Sequence, residues 1–257
     1  MDKREIYTPG YSEAAVRYMQ RRHAARDAAF FLPYLKPGMQ LLDCGCGPGT
    51  ITIGLAEAVS PGQVVGVDLE PGQIAIAEQI AGDRGLKNLR FEAASVYRLP
   101  FPDHSFDAVY SHALFEHLGD PLTAAREIRR VLKPGGIAGI SSPDWSGNLM
   151  APSDPAMGKA IEAYWQLQRL NGGNPFVGRG LGRLLQEAGF SRISLTAMYD
   201  CYEEIELFIE LLAQRFEAER GKLADVDRHC RAMREWVKQP VAMFAQSYVE
   251  AVGYAAP

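Results

Sequence analysis

Cysteine is scarce in this chain, with four in 257 residues. Cys44 and Cys46 stand two apart in an apolar stretch, and Cys201 and Cys230 lie far away. That argues against a disulfide framework, and no CxxC pair or Cys/His cluster at zinc spacing offers a metal site. Long apolar runs are missing as well. No segment approaches the roughly 20 residues that span a bilayer, and "MDKREIYTPGYSEAAVRYMQRRHAAR" has no apolar block of signal-peptide length. A reduced, cytoplasmic protein without a membrane span is the expectation. Positive charge is not in excess: 27 Lys and Arg against 31 Asp and Glu leave a formal net charge of -4. Such a balance does not favour tracking a phosphate backbone, so no nucleic-acid partner is expected. Internal repeats and low-complexity tracts are also absent.

What is present is an alternation of short apolar runs with helical stretches. Ser12 to Leu35 reads as one helix, stopped by Pro37-Gly38. "MQLLDCG", "QVVGVDL", "NLRFEAAS", "FDAVYSHA" and "IAGISSP" read as five strands, with helical segments between most of them. "SRISLTAMY" reads as a sixth strand and "MFAQSYVEAVGYA" as a seventh, at an antiparallel edge position. The expected fold is α/β: a Rossmann-like, seven-stranded, mostly parallel sheet with helices on both faces. Residues 37–143 form its core, 181–200 add a helix and the sixth strand, and 241–257 the seventh. Residues 1–36 read as an N-terminal helical lid. Residues 144–180 and 201–240 read as insertions, the second as two helices broken near Gly221.

The stretch "LLDCGCGPGT" carries the chemistry. Gly45, Gly47 and Gly49 follow a strand and precede a helix, the context in which a glycine motif deserves belief. Glycine lets a ligand touch the main chain. Dinucleotide sites space their glycines G-x-G-x-x-G and lay a pyrophosphate on the helix start. Here the spacing is G-x-G-x-G, and Asp43 stands two residues upstream. A carboxylate there would repel a pyrophosphate and suits a ligand that is cationic at that point, such as the amino group of a methionyl moiety.

At these residues the chain resembles the class I S-adenosylmethionine-dependent methyltransferases, particularly the small-molecule branch related to ubiquinone and menaquinone biosynthesis enzymes. "LLDCGCGPGT", "VVGVDLEPGQI", "LPFPDHSFDAVYSHALFEHLGDP" and "EIRRVLKPGG" match that family's motifs in order. The resemblance covers Pro37 to Pro143 and implies S-adenosyl-L-methionine as cofactor, with S-adenosyl-L-homocysteine as product. It implies that Asp43, Gly45 and Gly47 line the methionine and ribose side. Asp68 would accept from the ribose hydroxyls; its alternative role is a helix cap before Pro71. Leu69 and Ile74 would pack on adenine. Ser95 stands where relatives often have an Asp that receives the adenine amino group, and Val96 would supply backbone contact there. Cys46, Thr50 and Gln73 fall in the same matched stretches as cofactor-binding residues. His112 would lie along the open side of the cofactor. Tyr7 and Tyr11 would close the pocket, and Arg22 would pair with the cofactor carboxylate.

Methyl transfer from a sulfonium asks the protein mainly to align donor and acceptor. A base is needed only if the acceptor must lose a proton. His112, His117 and Tyr7 are the catalytic candidates, while Glu116 and His117 in "LFEHL" also suit a structural role. The substrate is expected under the two insertions, which carry Trp145, Trp165, Phe176, Phe208, Phe216 and Trp236. Rings facing the cofactor would favour an aromatic or apolar small molecule; rings at helical spacing also suit a core. "NGGNPFVGRGL" reads as a hinge, a substrate loop or a plain connector. A homodimer is compatible with all of this. The alternatives are a nucleic-acid or protein methyltransferase on the same core, and cofactor binding without turnover. The first lacks an Asn-Pro-Pro-aromatic motif after the fourth strand.

Overall fold

The computed structural model describes residues 6–256. Met1 to Glu5 and Pro257 lie outside the described residues, and with them the extreme ends of the expected lid and of the last strand's segment. The sheet starts with β1 (Leu41–Cys44), β2 (Val64–Asp68) and β3 (Leu89–Ala93), joined by α3 (Thr50–Val59) and α4 (Pro71–Asp83). Two short helices, α1 (Glu13–Gln20) and α2 (Ala24–Asp27), precede them. The chain then crosses back to β4 (Phe106–His112), α5 (Pro121–Val131) and β5 (Leu132–Pro143). After it come β6 (Leu149–Ala151), α6 (Pro155–Leu170), α7 (Leu181–Glu187), β7 (Phe190–Cys201), α8 (Ile205–Ala218), α9 (Val226–Trp236) and β8 (Met243–Ala255).

The strand order is β3-β2-β1-β4-β5-β8-β6, with β7 also paired to β8. The first five strands are parallel, and β8 runs antiparallel to β5, β6 and β7. This is the mostly parallel sheet with an antiparallel margin that the alternation predicts. It gains an eighth strand, β6, within the first insertion, and β8 stands one place in from the margin with β7 outside it. β1 and the second half of β5 are buried throughout because helices cover both faces, which explains their unbroken apolar runs. From β1 the chain leaves toward β2 and β3, and from β4 toward β5. The carboxyl ends of β1 and β4 therefore diverge into a crevice, the usual ligand position in such sheets.

Ser12 to Leu35 is not one helix. The Asp27 carboxylate accepts the His23 N–H at 2.7 Å, so the chain breaks at His23 and restarts as α2. The break places Arg22 at a corner. Tyr110 on β4 ties this corner to the sheet by donating to the Asp27 carbonyl at 2.7 Å.

The insertions and α1 build a second core of their own. Trp145 packs on Tyr164 with ring centroids 4.6 Å apart, and Tyr202 on Phe208 at 4.3 Å. Phe216, Trp236 and Phe244 are buried in the same cluster, and Trp165 and Phe176 pack against it. The expected break near Gly221 is there, as a short 3-10 turn between α8 and α9. "NGGNPFVGRGL" is a packed connector. The Asn171 carbonyl accepts from Ile6 N–H at 3.1 Å, its amide donates to Thr8 at 3.2 Å, and its side-chain oxygen accepts from Lys222 at 2.7 Å.

Candidate functional site

A cavity of about 1160 Å³ opens at the carboxyl ends of β1, β2 and β4. Its floor is the glycine loop. Gly47 has φ +52°, in the left-handed region, and a Cβ there would meet only the Met19 sulfur at 3.8 Å and Gln73 Oε1 at 4.0 Å. The space above the backbone is thus left for a ligand. Gly49 serves packing instead. It has φ +77°, and a Cβ would come within 2.8 Å of Ala77 and Phe91, so only glycine lets α3 start this close to α4 and β3.

Two carboxylates line this wall. Asp43 is buried and accepts from the Thr52 hydroxyl at 2.7 Å. Burial pushes its carboxyl up to about 7; Asp68 adds to the rise and the Thr52 hydrogen bond opposes it. Asp68 accepts from Gly47 N–H at 2.9 Å and Glu70 N–H at 3.0 Å. Its alternative as a helix cap is not realised, because Glu70 caps α4. Burial raises the Asp68 carboxyl as well, against the pull of those backbone donors. Arg22 lies across the helix corner with its guanidinium 5.8 Å from the Tyr18 ring centroid. Among the described residues no carboxylate stands within ion-pair distance of it.

Of the residues marked from sequence, Tyr7, Tyr11, Arg22, Asp43, Gly45, Cys46, Gly47, Thr50, Asp68, Leu69, Gln73, Ser95, Val96, His112 and His117 all line this cavity. Ile74 does not. The helix turn that points Gln73 at the cavity carries the next side chain into the packing of Cys46, Ala77, Ala81 and Phe91. The expectation that it packs on adenine is corrected. Leu69 stays 72% exposed at the rim, an uncovered apolar side chain. The six insertion aromatics named above are absent from the lining and belong to the second core, so their alternative role holds. The lining that sequence reading missed includes Ile6, Met19, Leu114, Leu118 and Arg215. Arg215 of α8 lies against Gly10, where a Cβ would sit 2.8 Å from its Nη1. No local pattern marks it among the other charged positions of α8.

Five buried polar atoms of these lining residues have no partner: Gln73 Oε1, both ring nitrogens of His112, His117 Nδ1 and Arg215 Nε. His112 stacks on Tyr248 with centroids 5.2 Å apart. Burial, with Arg22 nearby, pushes it down to about 3, so it is a neutral ring and a feeble proton acceptor. Tyr7 stacks on Tyr11 at 5.1 Å and stays a phenol, because burial and the neighbouring carboxylates raise its hydroxyl. Its hydroxyl donates to the Met19 sulfur at 3.6 Å. His117 lies 3.4 Å from Glu116 through Nε2. Among the described residues no cluster of His, Cys, Asp or Glu could hold a metal, and no helix is long and apolar enough to cross a membrane.

Comparison with known proteins finds relatives over most of the chain. A family model described as a methyltransferase domain matches residues 35–188. An uncharacterized methyltransferase of Schizosaccharomyces pombe is 31% identical over 244 residues, covering 89% of this chain and 87% of that one. A demethylmenaquinone methyltransferase of Geobacillus kaustophilus is 33% identical over 171 residues, 61% of this chain and 72% of that one. Among solved structures, phosphoethanolamine N-methyltransferase 2 of Haemonchus contortus, in complex with phosphomonomethylethanolamine and S-adenosylhomocysteine, superimposes with a TM-score of 0.60. It is 19% identical and shares 91% of this chain and 53% of its own.

Proposed function

Because this chain belongs to the methyltransferase-domain family and is an S-adenosylmethionine-dependent methyltransferase, we propose that its acceptor is a small molecule held in the same cavity as the cofactor. The residues fit the cofactor's chemistry. Open backbone at Gly47, two carboxylates, an uncompensated guanidinium and an orphaned amide oxygen meet in one cavity. S-adenosylmethionine, when bound, supplies a methyl group already activated on a sulfonium. Asp68 receives the ribose hydroxyls, and Leu69 covers one adenine face. Ser95, with Val96 beside it, receives the adenine amino group. Asp43 balances the ammonium, and Arg22 the carboxylate.

The observation that carries the acceptor reading is the cavity's size together with its apolar lining. About 1160 Å³ exceeds the roughly 300–1,000 Å³ of a usual single-ligand pocket, so room for a second small molecule remains. Ile6, Tyr7, Met19, Leu114 and Leu118 make part of that lining mostly apolar, with His117 among them. The relatives' printed names, demethylmenaquinone and phosphoethanolamine methyltransferase, support the same class. Cell extract incubated with methyl-labelled S-adenosylmethionine should give label in the small-molecule fraction. Label confined to RNA or protein overturns the proposal.

A further inference from the structure

The Leu114–Leu118 turn leaves β4 and folds over the glycine loop, with Leu114 packed at Gly45. It carries adjacent Glu116 and His117, both buried. Only His117 lines the cavity. Glu116 sits behind it and is firmly held. Its Oε2 accepts the Trp145 indole N–H at 3.0 Å and the Gln168 amide at 2.9 Å, and its backbone carbonyl accepts from Asn174 N–H at 2.8 Å. Its Oε1 faces His117 Nε2 at 3.4 Å. A carboxylate only accepts hydrogen bonds, so the nitrogen facing it carries the hydrogen. The other nitrogen, Nδ1, is then left with its lone pair. It is buried, has no partner, and belongs to a ring edge-on to Tyr7 with centroids 4.6 Å apart.

We propose that His117 is the general base of the transfer, with Glu116 as its positioning residue, and that the acceptor is a hydroxyl compound of the phenol or enol type. This rests on the small-molecule reading above. An amine attacks through its own lone pair and needs no base during transfer, whereas a hydroxyl must lose its proton as it becomes a nucleophile. The acceptor O–H proton passes to Nδ1. The acceptor oxygen forms the new bond to the methyl carbon and displaces a neutral thioether, which keeps the electron pair of the broken carbon–sulfur bond. The imidazolium so formed is balanced by Glu116.

The other groups near the dyad do not compete for that proton. Tyr7 from the N-terminal segment, Tyr164 from α6 and Tyr248 from β8 stand near the Glu116 carboxylate, and burial keeps each a phenol. Burial also pushes the Glu116 carboxyl up, but His117, Gln168 and Trp145 together outweigh it and hold it below its ordinary value. A neutral amide would hold Trp145 and Gln168 as well, so a buried charge here serves the imidazole.

The test uses the full chain in complex with S-adenosylhomocysteine. Imidazole nitrogen NMR, with the His117 signals identified by their loss in His117→Gln, should show hydrogen on Nε2 and a bare Nδ1. Hydrogen on Nδ1 overturns the proposal. In extract labelling, His117→Gln should bind S-adenosylhomocysteine within about twofold of wild type yet transfer methyl about 100-fold or more slowly, the span of general-base catalysis. Wild-type transfer rates in that variant also overturn it. Glu116→Gln should move the acid limb of the rate profile to lower pH and lower its plateau; an unmoved limb removes Glu116 from the assignment. Label appearing only in macromolecules would sink the small-molecule reading while leaving the imidazole result to stand separately.

Discussion

The floor of the cavity and the aromatic cap beside it solve different problems with different side chains. The floor sets glycine backbone, two carboxylates and an orphaned amide oxygen against open space. The cap sets rings against rings, with Trp145, Tyr164, Phe208 and Phe216 buried in a core that contributes almost nothing to the lining. Burying a polar group without a partner costs stability unless a ligand later supplies one. The floor is thus built for binding at some cost in stability. The cap repays with packing, and through Trp145 and Gln168 it holds the carboxylate behind His117.

The sharpest way to break this division is to hollow out the cap. Trp236→Ala removes a side chain that is 1% exposed and should cost about 3–5 kcal/mol in denaturant unfolding. Calorimetric affinity of the still-folded fraction for S-adenosylhomocysteine should scarcely change; a large loss would mean that cap and floor are one unit. Asp68→Ala should do the reverse, weakening the cofactor by about 1–3 kcal/mol with little effect on unfolding. Equal affinity would leave Asp68 as a brace for Gly47 only.

Asp43 sharpens the comparison through pH. Burial pushes its carboxyl up to about 7. A cationic ligand group favours the ionised form, so below that value binding must expel a proton. Affinity for S-adenosylhomocysteine, which carries an ammonium, should rise by up to about tenfold per pH unit from about pH 5.5 to 7 and level above it. Asp43→Asn should flatten that slope, and a slope that persists assigns it to another group. The smallest effect is expected at the rim: Leu69→Ser should cost about 1 kcal/mol in cofactor affinity, read by calorimetry, and nothing in stability.

The floor was legible because local sequence dictates it. A strand running into closely spaced glycines, with acidic residues at fixed offsets, has few ways to fold. Asp43, Asp68, Ser95 and Gln73 accordingly meet where that pattern puts them. Ile74 was misread because one step along α4 turns a side chain from cavity to core, and composition does not reveal which of two neighbours faces which way. Arg215 reaches the cavity from α8, nearly 150 residues beyond Asp68, and its place depends on how the cap docks. The break at His23 depends on one hydrogen bond that its backbone N–H donates to the Asp27 carboxylate. The tiny strand β6 exists only because Met243–Ala245 offer it a partner.

Asn171 is a single joint between distant parts of the chain: it holds the N-terminal strap through Ile6 and Thr8 and the turn after α8 through Lys222, so one substitution there would release both at once.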